Sequence, residues 1–222
     1  MADLYPREDG YVRRYLQASW SDARANTAGT SSSNTASSEA YGISAYSAAA
    51  RGGGTTFNIY RSFFHFDTSE ISTNVDSATL KIYGRYNTNG DLIAVKSNSD
   101  IETVGVADFG SIVGWNTTTD GSGGGDNESN VTKYSSEITS WSTSGYNDIT
   151  LNAQALADMR DDDDVYICLL NFDNDLLDIE PTGYSSNRSG LFYLNNTGTS
   201  KDPYIDYTAA GADNAIFFGT NF

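Results

Sequence analysis

The stretch that most constrains the fold is the run Arg-Ser-Phe-Phe-His-Phe-Asp-Thr-Ser-Glu-Ile at residues 61–71. Successive side chains of an extended strand point to opposite faces. Phe64 and Phe66 therefore share one face with Ser62, whereas Phe63 shares the other face with Arg61 and His65. A run of this kind predicts a β-strand, and we expect the face of Phe64 to be buried.

A second run, residues 76–84, repeats the alternation after a short polar turn. Ala78, Leu80 and Ile82 fall on one side, and Thr79, Lys81 and Tyr83 fall on the other. This pattern is typical of a strand that packs on one face and meets water on the other. Because the eight residues 67–74, seven of them polar, separate the apolar parts, the connection fits a loop that crosses between two sheets as well as a hairpin.

The composition favours one large β domain that binds neither nucleic acid nor membrane. The chain has 222 residues, fifteen tyrosines and only two methionines, a balance that suits strands. Its formal charge of −16 would repel a phosphate backbone, and no apolar segment is long enough to cross a bilayer. We expect a single domain over residues 1–208 and a separate C-terminal segment over residues 209–222.

The two runs resemble the core signature of DNRLRE-type domains, which are carbohydrate-module-like jelly rolls of secreted modular proteins, archaeal surface proteins and phage virion proteins. Other parts of the chain follow the family's order, namely residues 9–12, 146–151 and 202–207. The resemblance spans roughly residues 9 to 208. It implies an antiparallel β-sandwich of jelly-roll type, which agrees with the all-β fold that the alternation predicts, with at most one or two short helices.

Local patterns predict the remaining elements. Asn152 is a suitable N-cap for a helix over 152–160, in which apolar residues recur at helical spacing. The continuous apolar run 165–172 predicts a central strand that is buried on both faces. Segments 26–40 and 116–130 are rich in Ser, Thr, Gly and Asn, so we expect a surface loop and a flexible loop there.

Acidic residues raise the question of a cation. Asp173, Asn174, Asp175 and Asp178 offer oxygen ligands for Ca²⁺, but their spacing lacks the glycine and the distal glutamate of known calcium loops. The run 161–164 is four consecutive aspartates, which we interpret as a solvated charge run. We therefore expect no cofactor and keep Ca²⁺ as an alternative.

Catalytic chemistry finds little support in the sequence. His65 is the single histidine and Cys168 the single cysteine; both fall in predicted strands, where we expect structural roles. No serine or cysteine has a nucleophile-elbow context, and carboxylates are too numerous for a glycosidase pair to be singled out. We expect no enzymatic activity.

The C-terminal residues form a distinct apolar segment. Ile216, Phe217, Phe218 and Phe222 follow a stretch of small and polar residues, and we expect them to dock on another subunit or on their own sandwich. The first residues do not form a signal peptide, which favours release by another route, such as host lysis.

Two functions follow as alternatives. The first is a structural protein of a phage particle, a capsid decoration or fibre-like module at the virion surface that contacts other capsid subunits and forms a homo-oligomer through Ile216, Phe217, Phe218 and Phe222. The second is an extracellular or cell-surface carbohydrate-binding module, in which some of the tyrosine rings stack on sugar faces.

Overall fold

The computed structural model describes residues 2–25, 27–97, 103–116, 125–184 and 186–210. Over these residues the protein is an antiparallel β-sandwich, as the alternation predicted. Its strands are β1 (Ala2–Leu4), β2 (Glu8–Gln17), β3 (Ser31–Ser33), β4 (Ser38–Ala49), β5 (Thr55–Asp67), β6 (Val75–Thr88), β7 (Leu92–Lys96), β8 (Tyr146–Thr150), β9 (Asp164–Asn171), β10 (Ser186–Phe192) and β11 (Tyr204–Ala209).

The small sheet has the order β1-β11-β6-β8, and the large sheet is built around β5. Strand β2 pairs along one edge of β5 and carries β3 on its far side. The other edge of β5 is shared, because β4 pairs with its first half and β9, followed by β7, pairs with its second half. Strand β10 pairs with β4 and with the end of β6, which links the two sheets without closing them into a barrel.

The connection from β5 to β6 crosses between the sheets, as one of the two predicted alternatives required. Strand β5 pairs only with β2, β4 and β9, whereas β6 pairs with β8, β10 and β11. Between the sheets, Phe64 and Phe66 of β5 meet Leu80 and Ile82 of β6, and all four are fully buried. We call this apolar cluster the first core. The predicted burial of Phe64 and Leu80 is confirmed.

A second core covers the opposite face of the large sheet. Phe57, Ile59 and Phe63 of β5 pack there with residues that come from outside the strands, including Trp20, Phe109, Ile112, Trp115 and Leu176. Both faces of β5 are therefore buried, and so are both faces of most of β9. The prediction that the run 165–172 is a central strand is confirmed.

An ion pair lies inside the second core. The Arg61 guanidinium donates to both carboxylate oxygens of Asp175, from Nε and Nη2, each at 2.7 Å. It also donates to the Phe109 carbonyl at 2.6 Å and lies 4.2 and 4.3 Å from the ring centres of Phe109 and Trp115. Both charged side chains are fully buried. A buried charge is tolerated only when it is paired and hydrogen-bonded, and this pair meets both conditions.

Two α-helices lie within the described residues. The longer, α2 (Ala153–Asp161), was predicted, and the Asn152 side chain caps it by accepting from the amides of Gln154 and Ala155. The shorter, α1 (Trp20–Arg24), was not predicted, since five residues are too few to show helical periodicity. A 3₁₀-helix at Val106–Gly110 and a π-helical turn at Phe172–Leu176 complete the cover of the second core.

The loop predictions need correction. Within 26–40, residues Ser31–Ser33 form the edge strand β3 against Tyr11–Arg13, and β4 already begins at Ser38. The described end of the 116–130 segment is packed, because Asn127 is fully buried and its amide donates to the Leu176 carbonyl at 2.9 Å. Small polar residues satisfy their backbone groups here through pairing and turns.

Candidate functional site

The candidate site is a row of polar and aromatic side chains that crosses the large sheet. Arg188 of β10 lies opposite Ser44 of β4, Ser44 lies opposite Tyr60 of β5, Tyr60 lies opposite Arg13 of β2, and Arg13 lies opposite Ser31 of β3. Directly paired residues present their side chains on the same face of a sheet. Five strands therefore contribute to one continuous surface.

Tyrosines fill the space around this row. We call the whole group the tyrosine-arginine face. It consists of Arg13, Arg188, Tyr60 and the surrounding tyrosines, which are Tyr11, Tyr15, Tyr41, Tyr46 and Tyr86. Tyr60 is buried at the centre, whereas Tyr15 and Tyr86 are each 39% exposed and the others are half-buried. The face is thus open to solvent at its rim and supported from below.

The rings on this face lie at low angles to one another. The Tyr41 ring is 5.7 Å from the Tyr60 ring at 30° and 5.5 Å from the Tyr46 ring at 41°. Tyr11 is 5.8 Å from Tyr60 at 34°. Rings inclined by 30–41° to one another face in more similar directions than rings packed edge to face, which favours the stacking of a ligand ring.

Each arginine is held on the rings. The Arg188 guanidinium lies 4.5 Å from the centre of the Tyr41 ring, 5.5 Å from that of Tyr46 and 5.6 Å from that of Tyr86. Its Nε donates to the Ser186 hydroxyl. Arg13 donates to the Tyr60 hydroxyl at 2.8 Å and to the Ser31 hydroxyl at 2.5 Å. Cation–π contacts of this kind fix a planar guanidinium without neutralising it.

Three tyrosine hydroxyls of the face, those of Tyr11, Tyr46 and Tyr60, stay protonated at neutral pH. Burial raises the pKa of Tyr46 and of Tyr60, in each case as the largest cause. Burial also raises the pKa of Tyr11, with a further contribution from the nearby Glu39 carboxylate. Protonated phenols both donate and accept hydrogen bonds, so the face combines apolar ring surfaces with polar tips.

A second aromatic surface lies on the small sheet but has another geometry. Tyr83 meets Tyr146 at 78° and Phe192 at 84°, and Tyr146 meets Tyr204 at 79°. Rings packed edge to face stabilise one another but present no common plane to a ligand. Tyr5 and Tyr204 are the exception, with an angle of 35°, but no arginine lies on either ring among the described residues. This surface therefore lacks the combination of similarly inclined rings and arginine that the tyrosine-arginine face has.

The predicted calcium ligands make internal contacts instead. Asp175 binds Arg61, and Asp178 binds Arg24 at 2.8 Å and accepts from the Trp20 indole at 2.8 Å. Asn174 donates to the Ile179 carbonyl at 2.6 Å. These contacts give the three residues structural roles within the fold.

The fourth predicted ligand, Asp173, lies in an acidic set whose other members were not predicted. Carboxylate oxygens of Asp91, Glu137 and Asp173 lie within 4.8 Å of one another. Burial, followed by a hydrogen bond with Asp173, raises the pKa of Asp91 to about 6. Asp91 also accepts from the Asn171 amide at 2.6 Å, so this carboxylate helps to fix the turn after β9.

The run 161–164 is more than a solvated charge run. Asp162 pairs with Lys96 at 3.2 Å, and Asp164 pairs with His65 at 2.8 Å. The His65 ring is 5% exposed and stacks on Tyr166 with ring centres 4.5 Å apart. Cys168 is fully buried, and burial raises the pKa of its thiol. Both residues have the structural environment that the sequence predicted.

The predicted docking residues Ile216, Phe217, Phe218 and Phe222 lie outside the described residues. No helix among the described residues is both long and apolar enough to cross a membrane. No protein-family model matches the chain, and no curated protein matches it either.

Proposed function

We propose that this protein is a non-catalytic module that binds glycans through the tyrosine-arginine face. The observation that carries the proposal is the open set of tyrosine rings at low mutual angles, with two arginines held among them. Sugar rings have apolar faces that stack on aromatic rings and hydroxyls that hydrogen-bond to arginine and phenol groups. The face offers both kinds of contact side by side.

The surroundings of the histidine, the cysteine and two serines of the face support the non-catalytic part of the proposal. Among the described residues, His65 and Cys168 are buried. Ser62 and Ser44, which lie on the face, donate to backbone carbonyls at 2.7 and 2.9 Å. A nucleophile needs a base within hydrogen-bonding reach. Among the described residues, the side-chain partner of Ser62 is the Tyr193 hydroxyl at 2.7 Å, which is not a base.

A glycan array tests the proposal, followed by calorimetric titration of the best ligand. We expect the Tyr86→Ala variant to lose about tenfold in affinity or more, equal to about 1.4 kcal/mol, because it removes an exposed ring of the face. The control is Tyr5→Ala, which removes a ring that is 48% exposed and packs on Tyr204 of the small sheet. Failure of the wild-type protein to bind any glycan, or equal losses in both variants, would contradict the proposal.

A structural role in a phage particle is the second proposal, and an observation in the sequence supports it. Ile216, Phe217, Phe218 and Phe222 place four large apolar side chains within seven residues. Burying such side chains contributes about 1.5–3 kcal/mol each, which is enough to hold a module on a neighbouring subunit. Glycan binding at the virion surface is compatible with this role.

Sedimentation equilibrium tests the attachment. We expect the full chain to self-associate, and a chain that ends at Thr208 to keep its circular dichroism spectrum but remain monomeric. The triple variant F217S/F218S/F222S is the matched control, because it keeps the chain length. Unfolding of the shortened chain would show that these residues belong to its own core, and a monomeric full chain would contradict the homo-oligomer.

A further inference from the structure

We infer that the tyrosine-arginine face takes an acidic glycan, with a carboxylate or sulfate group of the ligand bound to Arg188. The inference rests on the proposed glycan-binding function. It further specifies that the ligand is acidic and that Arg188 binds its charged group.

The first argument is the free hydrogen-bonding capacity of Arg188. Its Nε donates to Ser186, but within the described part of the chain its two terminal nitrogens meet no hydrogen-bond acceptor. The three tyrosine rings around it hold the guanidinium in place. Arginine binds carboxylate and sulfate oxygens through two parallel N–H bonds, and a terminal pair of free nitrogens is suited to that geometry.

The second argument is the charge of the chain. Acidic residues outnumber basic ones by 29 to 13, so a basic side chain has many possible acidic partners. All thirteen basic residues lie in the described ranges. Seven of them form ion pairs with carboxylates: Arg7, Arg24, Arg61, Lys81, Lys96, Lys133 and Arg160. Arg188 is one of the six that form none, and its charge is left available for an acid from outside.

The third argument concerns the acidic residue of the same surface. Glu39 accepts from the Tyr41 amide at 3.1 Å and lies against Tyr11. It forms no ion pair with Arg188 within the described residues, so it leaves that guanidinium unneutralised. Glu39 acts electrostatically on Arg13, so its carboxylate offsets the charge on the Arg13 side of the face. Arg188 keeps its charge, and this difference would orient an acidic sugar with its charged group toward Arg188.

Calorimetric titration with matched polymers tests the inference. The acidic set is polygalacturonate, alginate and chondroitin sulfate, and the neutral set is fully methyl-esterified polygalacturonate, a β-glucan and a mannan. Poly-L-glutamate measures the response to charge without sugar. We expect wild-type protein at about 0.15 M salt to bind at least one acidic glycan and to bind the esterified polymer and poly-L-glutamate at least about tenfold more weakly.

Two arginine variants separate a local site from the overall charge. We expect Arg188→Gln to lower affinity for the acidic glycan about tenfold or more. Arg85→Gln removes the same charge from the neighbouring strand β6, where Arg85 is exposed and, unlike Arg188, has no cation–π contact among the described residues; we expect it to bind like wild type. Melting temperatures of both variants equal to that of the wild-type protein would confirm that the fold is intact.

Each result has a distinct meaning. If no glycan of either set binds, the proposed function itself is wrong. If neutral glycans bind as well as acidic ones and Arg188→Gln binds normally, glycan binding stands and the acidic ligand is excluded. Equal losses in the two arginine variants, or equal binding of poly-L-glutamate, would reduce the effect to general electrostatics and overturn the assignment of Arg188.

Discussion

At the scale of single residues, the buried pair of Arg61 and Asp175 ties the large sheet to its cover. Arg61 comes from β5, and Asp175 comes from the π-helical turn after β9. Both side chains are fully buried, so water cannot solvate either charge if its partner is removed.

We therefore predict that Asp175→Asn lowers the free energy of unfolding by about 3–5 kcal/mol, because it leaves the Arg61 charge buried without its counterion. Urea denaturation measures the change. The control is Glu128→Gln, which breaks an ion pair with Lys133 whose side chains are 46% and 39% exposed; we expect it to cost about 1 kcal/mol or less. Equal effects of the two substitutions would contradict this account of the pair.

Asp9 gives a second prediction at this scale. Its side chain is 2% exposed, Oδ2 accepts from the Leu194 amide at 2.9 Å, and Oδ1 has no partner among the described residues. Burial raises the pKa of Asp9 to about 7. The folded protein therefore holds a proton that the unfolded chain releases near pH 4, and ionisation of Asp9 destabilises the fold as pH rises through this window.

The Asp9→Asn variant keeps the accepting oxygen but cannot ionise. We predict that its stability advantage over wild type grows from about pH 4 to about pH 7, by at most about 1.4 kcal/mol per pH unit, and is constant above that range. Urea denaturation of both proteins across this range is the measurement. A difference that does not change with pH would show that Asp9 titrates normally.

At the scale of elements, β5 is the strand on which both cores are built. Phe64 lies in the first core and Phe63 in the second, and each is fully buried. We predict that Phe63→Ala and Phe64→Ala each lower the free energy of unfolding by roughly 3–5 kcal/mol, through lost burial and the cavity left behind. Thermal and urea denaturation check this; an unchanged stability of Phe63→Ala would mean that the second core contributes little.

Much of this element could be predicted from the sequence, and part of it could not. The period-2 alternation around residues 61–66 and 78–82 predicted both strands and the buried side of Phe64. It could not predict that Arg61 is buried, because Phe109, Trp115 and Asp175 come from segments without periodicity. Burial of a polar residue depends on partners distant in sequence, which local patterns do not reveal.

The candidate site was visible only in fragments. Tyr11, Arg13 and Tyr15 alternate along β2, and this alternation is a signal for one shared face. Arg188 joins them only through the pairing of β10 with β4 and of β4 with β5. Such pairing is set by the whole fold, so the count of tyrosines suggested sugar binding without locating it.

At the scale of the whole molecule, one face of the large sheet is buried, and part of its other face is open for binding. One face is buried under the second core. The other face is covered by the small sheet around Phe64 and Phe66 and is open around Tyr41, Tyr46 and Tyr86. The two sheets thus leave the tyrosine-arginine face open to solvent, and the central claim is that this face is where the protein binds its ligand.

Tyrosine footprinting tests that claim most directly. The protein is treated with tetranitromethane with and without its best glycan from the array, and nitration at each tyrosine is quantified by mass spectrometry. We predict that the ligand protects Tyr15, Tyr41 and Tyr86 and leaves the nitration of Tyr5 on the small-sheet side unchanged. Protection of Tyr5 with no protection of Tyr15, Tyr41 and Tyr86 would contradict the account and place the binding surface on the small sheet.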